Sequence, residues 1–400
     1  MIQKAIFAFC TCLVTSFANA QTDDIHTILQ KVEQNNIELT AFDKYIESEI
    51  MGLRSTNVLP NPEAGAYYLP FGNSTAGNYT EVQVSQSFEF PTVYKSRRNL
   101  IATQKVQLVL EYEQKRQQVL LQAKTTLIEL IAINKLQLVE QGRLAESKVL
   151  FEQNQTLYNR GQIAVLELNK AKVTYLKRQF LLQRIEASKQ GALTILKNLN
   201  GGIAIEVTPS DFKNDFRIAD KDSVWQEKLN LSPLIKKNKA SENEASQNIK
   251  LSRMKSLPDL AVGYNYQGFS NDNVSGVYAG VSIPLWGNKL RNSVAKANFT
   301  YTQSNSVVQI QTLSSEFELM IIKHQALLKV YNEYSSSLET LNSEKLLLTA
   351  YQTGEISFSE YYVELEFYHN AKDTLLDMEK QLHLIKAQLL NHKLLKKITQ

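Results

Sequence analysis

Two stretches of this chain carry tyrosine, glycine, isoleucine and glutamate at one spacing. They are Tyr158-x-x-Gly161 with Ile163 and Glu167, and Tyr351-x-x-Gly354 with Ile356 and Glu360, 193 positions further on. A phenol and a carboxylate beside a helix break can exchange hydrogen bonds, and several copies around an axis would narrow an opening with acidic and aromatic groups. The second copy is richer in charge: Glu355 stands where the first has Gln162, Ser359 replaces Leu166, and Glu364 follows. These carboxylates have no catalytic companions. The sequence holds no glycine-rich phosphate loop, nucleophile elbow or His-Glu-x-x-His helix. None of the histidines (His26, His324, His369, His383 and His392) is spaced four residues from another. His324 falls on a helical seam, where a hydrogen-bonded core histidine is expected before a metal ligand. The chemistry expected is therefore that of a passage or an interface, with no catalytic, cofactor-binding or metal-binding residues.

The chain has 400 residues and a formal net charge of +4, too balanced to argue for nucleic acid. Lys4, the apolar run 5–17 and Ala18-Asn19-Ala20 read as an export signal over 1–20. Cys10 and Cys12 both lie inside it, so the mature chain is expected to form no disulfide. Past the leader no apolar run approaches the roughly 20 residues of a membrane helix. An exported chain of this kind is soluble or enters a membrane as a β-barrel.

The elements that must position the two copies are long helices. Ile28, Leu29, Val32, Leu39, Phe42 and Ile46 predict a helix over 24–56, ended by Leu59-Pro60-Asn61-Pro62. Strands are expected at 64–71 and 81–90, the second with Val82 and Val84 opposite Glu81, Gln83 and Ser85. From Pro91 to Arg160 the pattern is one helix on the order of 100 Å long. A second runs to about Asn198 on a seam through Leu168, Ala171, Tyr175, Arg178 and Ile185, with Arg178 and Lys189 as basic intruders. The segment 200–224 reads as a connector with a short strand candidate at 203–207. The order then repeats: a helix over 225–256, Leu257-Pro258, strands at 260–269 and 277–283 linked by 270–276, a helix after Asn288, the second glycine break, and a last helix over 357–395. The expected organisation is a repeat at 21–199 with a β-hairpin at 62–90 and a tip at 158–167. After the connector comes a second repeat at 225–400, with a β-hairpin at 258–285 and a tip at 351–360. The fold class expected is mainly α with a small β part.

Four strands cannot close a barrel, and an open edge in lipid leaves backbone groups unpaired at several kcal/mol each. If the strands enter a membrane the chain must oligomerise: two copies give a barrel filled by its own side chains, and three give room for a conduit. A soluble antiparallel sheet is the competing reading. Each strand-to-helix junction places aromatics before a basic cluster, Tyr94 with Lys95 and Arg97, and Trp286 with Lys289 and Arg291. Such groups suit a lipid headgroup level, although a solvated helix start with incidental charge fits either junction alone.

Taken in order and in duplicate, these features resemble the TolC-like outer-membrane efflux proteins, over essentially the whole mature chain. The resemblance implies duplicated coiled-coil hairpins forming an α-barrel, continuous with a 12-stranded transmembrane β-barrel to which each chain of a homotrimer gives four strands. It implies a Gram-negative outer-membrane exit duct reaching through the periplasm. Its partners would be a periplasmic adaptor (membrane fusion) protein and an inner-membrane transporter of the RND type. The family's tip motif falls on Tyr158, Gly161 and Glu167, and on Tyr351, Gly354 and Glu360. In relatives the second acid lies near the constriction. A further inward acid of some relatives is replaced by Val363, with Glu364 beside it. The Pro284-Leu285-Trp286-Gly287-Asn288-Lys289 junction looks most like the heavy-metal-efflux, CzcC- and CusC-like branch. The asymmetry of the copies places the gate on the second and adaptor contact on both. The alternative is a periplasmic coiled-coil scaffold or adaptor that never enters the membrane.

Overall fold

A computed structural model describes residues 25–70, 78–207, 209–212, 215–268, 272–284, 286, 288–340 and 343–395. The leader at 1–20 and most of the link at 72–78 lie outside them.

Two helices, α1 (Ile25–Asn35) and α2 (Ile37–Ser55), stand where one was expected. Asn36 breaks the run. Its side-chain oxygen accepts from the Leu39 backbone N–H at 2.9 Å, and its amide donates to the Leu199 carbonyl at 2.8 Å. Asn35 donates to the Asn200 side chain at 3.0 Å. Gly201, at φ +67, lies so close that a Cβ there would sit 2.3 Å from the Asn35 carbonyl oxygen. Docking against the end of a later helix outweighs helix continuity here, because the carbonyls of that end need partners.

Strands β1 (Glu63–Leu69), β2 (Tyr79–Phe88), β3 (Asp259–Gly268) and β4 (Asn273–Ser282) form one antiparallel sheet in the order β1-β2-β3-β4. Residues 273–276, expected in a loop, are paired with 265–268. Cross-strand partners share a face. Val84, opposite Ala64 and Tyr264, with Tyr264 opposite Val277, marks an apolar face whose valines are solvent-exposed. The other face is polar and cross-linked: Tyr79 and Asn265 each donate to Glu81 at 2.6 Å, and Gln83 donates to the Tyr278 hydroxyl at 3.0 Å.

Pro91, with no N–H to lose, opens the 69-residue helix α3 (Pro91–Asn159), which returns as α4 (Val165–Leu199). The predicted helix over 225–256 is divided into α5 (Lys221–Leu231) and α6 (Pro233–Met254), because Pro233 starts a new helix and cannot continue the old one. Helices α7 (Asn288–Thr340), α8 (Ser343–Gln352) and α9 (Phe358–Leu389) follow, and a 3-10 turn, Asn391–Leu395, ends the described chain. The segment 203–207 is not a strand. Ile205 packs into a core with Val32, Leu127 and Leu196, and the Val207 and Pro209 carbonyls accept from Asn134. Burial is spread along the hairpins in separate clusters, one of them at the tips around Leu150, Phe358, Tyr361 and Leu365. Among the described residues no helix is long and apolar enough to cross a membrane.

Candidate functional site

The shared Tyr-x-x-Gly spacing has a local physical cause. At the end of α3, Gly161 N–H donates to Tyr158 O at 2.9 Å and Gln162 N–H to Leu157 O at 2.9 Å, with Gly161 at φ +70. At the end of α8, Gly354 N–H donates to Tyr351 O at 3.1 Å and Glu355 N–H to Ala350 O at 2.9 Å, with Gly354 at φ +81. Both are Schellman endings, in which a left-handed glycine lets the chain turn back onto the last helical carbonyls. The tyrosine is the residue whose carbonyl the glycine closes upon.

The two tips differ in how the next helix begins. Ser357 caps α9 in a complete capping box: its hydroxyl accepts from Glu360 N–H at 3.2 Å, while the Glu360 carboxylate accepts from the Ser357 N–H and hydroxyl, each at 2.8 Å. The Ser357 backbone donor holds the Glu360 carboxyl below its ordinary pKa. At the first tip Ala164 occupies the cap position without a side-chain acceptor, leaving Glu167 outside any such box.

The tyrosines also part company. The Tyr351 hydroxyl accepts from buried Asn154 on α3 at 2.9 Å, and its ring stacks on Tyr361 at 5.2 Å and meets Phe358 edge-on at 5.9 Å. Burial raises its pKa. Tyr158 is exposed. A groove of about 700 Å³ runs between the tips, lined in part by Glu167, Ile163, Tyr351, Ser357 and Phe358. Glu355, Glu360 and Glu364 are exposed.

Above the tips, α3, α4 and α9 are joined by charge. Glu140, fully buried, pairs with Arg143 and, at 3.2 Å, with Arg178. Arg143 reaches Asp373 at 2.8 Å and the His369 carbonyl at 3.2 Å. Arg178 binds Glu366 and sits 2.8 Å from His369 Nδ1, so that nitrogen faces a donor. His369, with Lys177 and Arg178, holds the Glu366 carboxyl down to about 2. Arg178 stands out in the sequence as a basic residue on the α4 seam, but its partners do not. Asn154 carried no sequence signal, whereas Ser357, three residues before Glu360, was a legible capping signature.

The membrane-interface candidates sit at the strand-to-helix corners. Arg97 pairs with Glu89 and lies 5.7 Å from the Tyr94 ring centroid, and the Tyr94 hydroxyl accepts from Glu89 N–H at 3.2 Å. Glu89 thus supplies the compensation that a basic residue near a helix N-terminus requires. Lys95, Trp286, Lys289 and Arg291 are exposed. His324 is buried and hydrogen-bonded to the Phe216 backbone, and burial lowers its pKa. Among the described residues no group of three or more His, Cys, Asp or Glu could hold a metal ion.

No protein-family model and no curated protein matches the chain by sequence. Solved structures do match it in fold. CusC aligns with a TM-score of 0.76 at 14% identity over 92% of each chain. VceC, an outer membrane protein of Vibrio cholerae, aligns at 0.74 and 15% identity over 92% of this chain and 95% of its own. The CmeC outer membrane channel of Campylobacter jejuni aligns at 0.73 and 12% identity over 92% and 85%. The chain has the fold of the TolC-like outer-membrane channels.

Proposed function

We propose that this chain is the outer-membrane exit duct of a tripartite efflux system in a Gram-negative bacterium. Three copies pass cargo such as metal cations or drugs to the exterior without catalysis. The observation that carries the reading is the sheet. Its valine-bearing face is exposed, its opposite face is a polar hydrogen-bonded surface, and β1 and β4 are its two outer strands. Apolar outside and polar inside is the polarity of a membrane barrel around water. Three copies would pair those edges into twelve strands, satisfying backbone groups that lipid cannot. The α3–α4 and α7–α9 hairpins would carry the conduit into the periplasm, with six tips around one opening.

The repeats at 21–199 and 225–400, joined by the connector 200–224, are the proposed units of this assembly. Tyr94, Lys95, Arg97, Trp286, Lys289 and Arg291 are assigned to the lipid interface. Tyr351, Gly354, Glu355, Glu360 and Glu364 are assigned to the gate, and both tips, including Tyr158, Gly161 and Glu167, to contact with a periplasmic adaptor serving an RND-type transporter. The junction at 284–289 supports the heavy-metal-efflux branch. Cell fractionation tests the reading: the mature protein should sediment with outer membranes and leave them only in detergent. Its release by osmotic shock alone would overturn the duct and favour a periplasmic scaffold.

A further inference from the structure

The 193-residue offset between tips makes each contact between the first and second hairpins of one chain informative about a contact the chain cannot make alone. In a ring of alternating hairpins, the first hairpin of one copy meets the second of the next as the hairpins meet within a chain. Adding the offset to one partner and subtracting it from the other converts each within-chain contact into its counterpart between copies.

Within the chain this boundary holds an apolar cluster at the tips, Leu150 and Ala171 with Phe358, Tyr361 and Leu365, and polar contacts flank it. Lys170 donates to Ser359 at 2.7 Å, Lys177 pairs with Glu366 at 2.8 Å, and Arg143 pairs with Asp373 at 2.8 Å. The converted pairs are Val363 with Leu166, Asn370 with Val173, and Ser336 with Phe180. In these three pairs no charged residue remains, and Asn370 and Ser336 are their only polar members. The apolar members are solvent-exposed in the single chain: Leu166 by 61%, Val173 by 64%, Phe180 by 75% and Val363 by 66%. Leu166, Val173 and Phe180 are seven residues apart, which puts them on one stripe of α4, the spacing of a coiled-coil seam. A fourth converted pair, Leu328 with Glu186 from Lys135 with Glu379, keeps a charge. Glu186 already accepts from Gln137 and Gln190 of its own chain, both at 2.9 Å.

We propose that the boundary between copies is an apolar seam, in which Leu166, Val173 and Phe180 of α4 pack on α7 and α9 of the next copy, with Leu166 against Val363. The occupant of the exposed stripe is a second copy of this chain. The inference rests on the trimeric reading above and adds its residue pairing. It gives the two quasi-equivalent boundaries different chemistry: within a chain, ion pairs flank an apolar cluster and hold the hairpins in register, and between chains the stripe of Leu166, Val173 and Phe180 makes the contact without ion pairs.

The test is a Leu166→Cys, Val363→Cys double variant of the full chain, extracted in detergent, with its mass measured by light scattering and its thiols bridged by a short bis-maleimide. The expected result is a trimer that yields covalent bands at two and three times the chain mass, absent from each single-cysteine variant. A trimer that gives no such bands overturns the pairing and leaves the duct standing. A chain that is monomeric in detergent overturns both. As an independent measurement, Phe180→Asp changes a residue that is exposed in the single chain. It should lower the trimer fraction by about 10-fold while the helical signal is kept; an unchanged trimer would count against the seam.

Discussion

At the first tip α3 closes on Gly161 and α4 starts from an alanine cap, with Tyr158 in solvent. At the second, α8 closes on Gly354, α9 starts from a complete Ser357–Glu360 capping box, and Tyr351 is tied to α3 through Asn154. The helix endings are the same and the helix beginnings are not. The repeated motif therefore encodes a turn, while its surroundings decide whether the tip is fastened within the chain or left open to something else. The Glu360 carboxylate has local work to do in the capping box, and the proposed role in narrowing an opening comes on top of it.

The largest effect that separates the two tips should come from the charges holding the hairpins together. Arg178→Ala leaves Glu366 and buried Glu140 each short of a partner, and thermal unfolding should report a loss of about 3 kcal/mol or more. An unchanged midpoint would mean that Arg143 alone satisfies Glu140. Acid should act next, in two windows. His383, stacked on Phe212 at 4.2 Å, has a pKa lowered by burial from 6.5 to about 4, so the stability tied to its neutral form is complete above 6.5 and is lost as pH falls towards 4. Glu366, lowered from 4.5 to about 2, contributes stability above 4.5 that is lost on the way down to 2. Hydrogen exchange at stepped pH should therefore loosen the connector around Phe212 before the hairpin boundary. The reverse order would contradict these environments.

Smaller effects address the tips themselves. Tyr351→Phe removes the acceptor of a buried amide and should cost about 1 kcal/mol, whereas Tyr158→Phe in the isolated chain should cost nothing measurable. Equal losses would erase the distinction between fastened and open tips. Ala164→Ser should create at the first tip the box the second already has, with Glu167 in the place of Glu360, for a gain of about 0.5–1 kcal/mol.

Much of this was readable from residue order. The 69-residue helix, the four strands, the duplicate tips and the seam position of buried His324 follow from periodicity and from Gly and Pro punctuation, which act locally. What periodicity could not show are outcomes of tertiary docking. Asn36 gives up helix continuity to bind Leu199, more than 160 positions away, and Ile205 joins a core in place of a strand ladder. Pro233 was visible in the sequence as a helix breaker, and the single helix expected there passed over it. Of the site, the Tyr-x-x-Gly spacing was legible because it spans a few residues; the Ser357–Glu360 box is as local, but the sequence expectation used 357 only as a helix start. Asn154 and the Glu140–Arg178–Glu366 network were not, because their partners lie on different helices and only packing brings them together.

The measurement closest to the central claim is single-channel recording in planar bilayers of the detergent-extracted protein beside a Tyr351→Phe, Glu360→Gln variant. Glutamine keeps the capping box while removing the charge, so the variant probes the proposed opening without unfolding the tip. The account predicts discrete conductance steps from the natural chain and larger ones from the variant. Steps of unchanged size would move the gate away from the second tip, and a protein that inserts yet never conducts would contradict the duct.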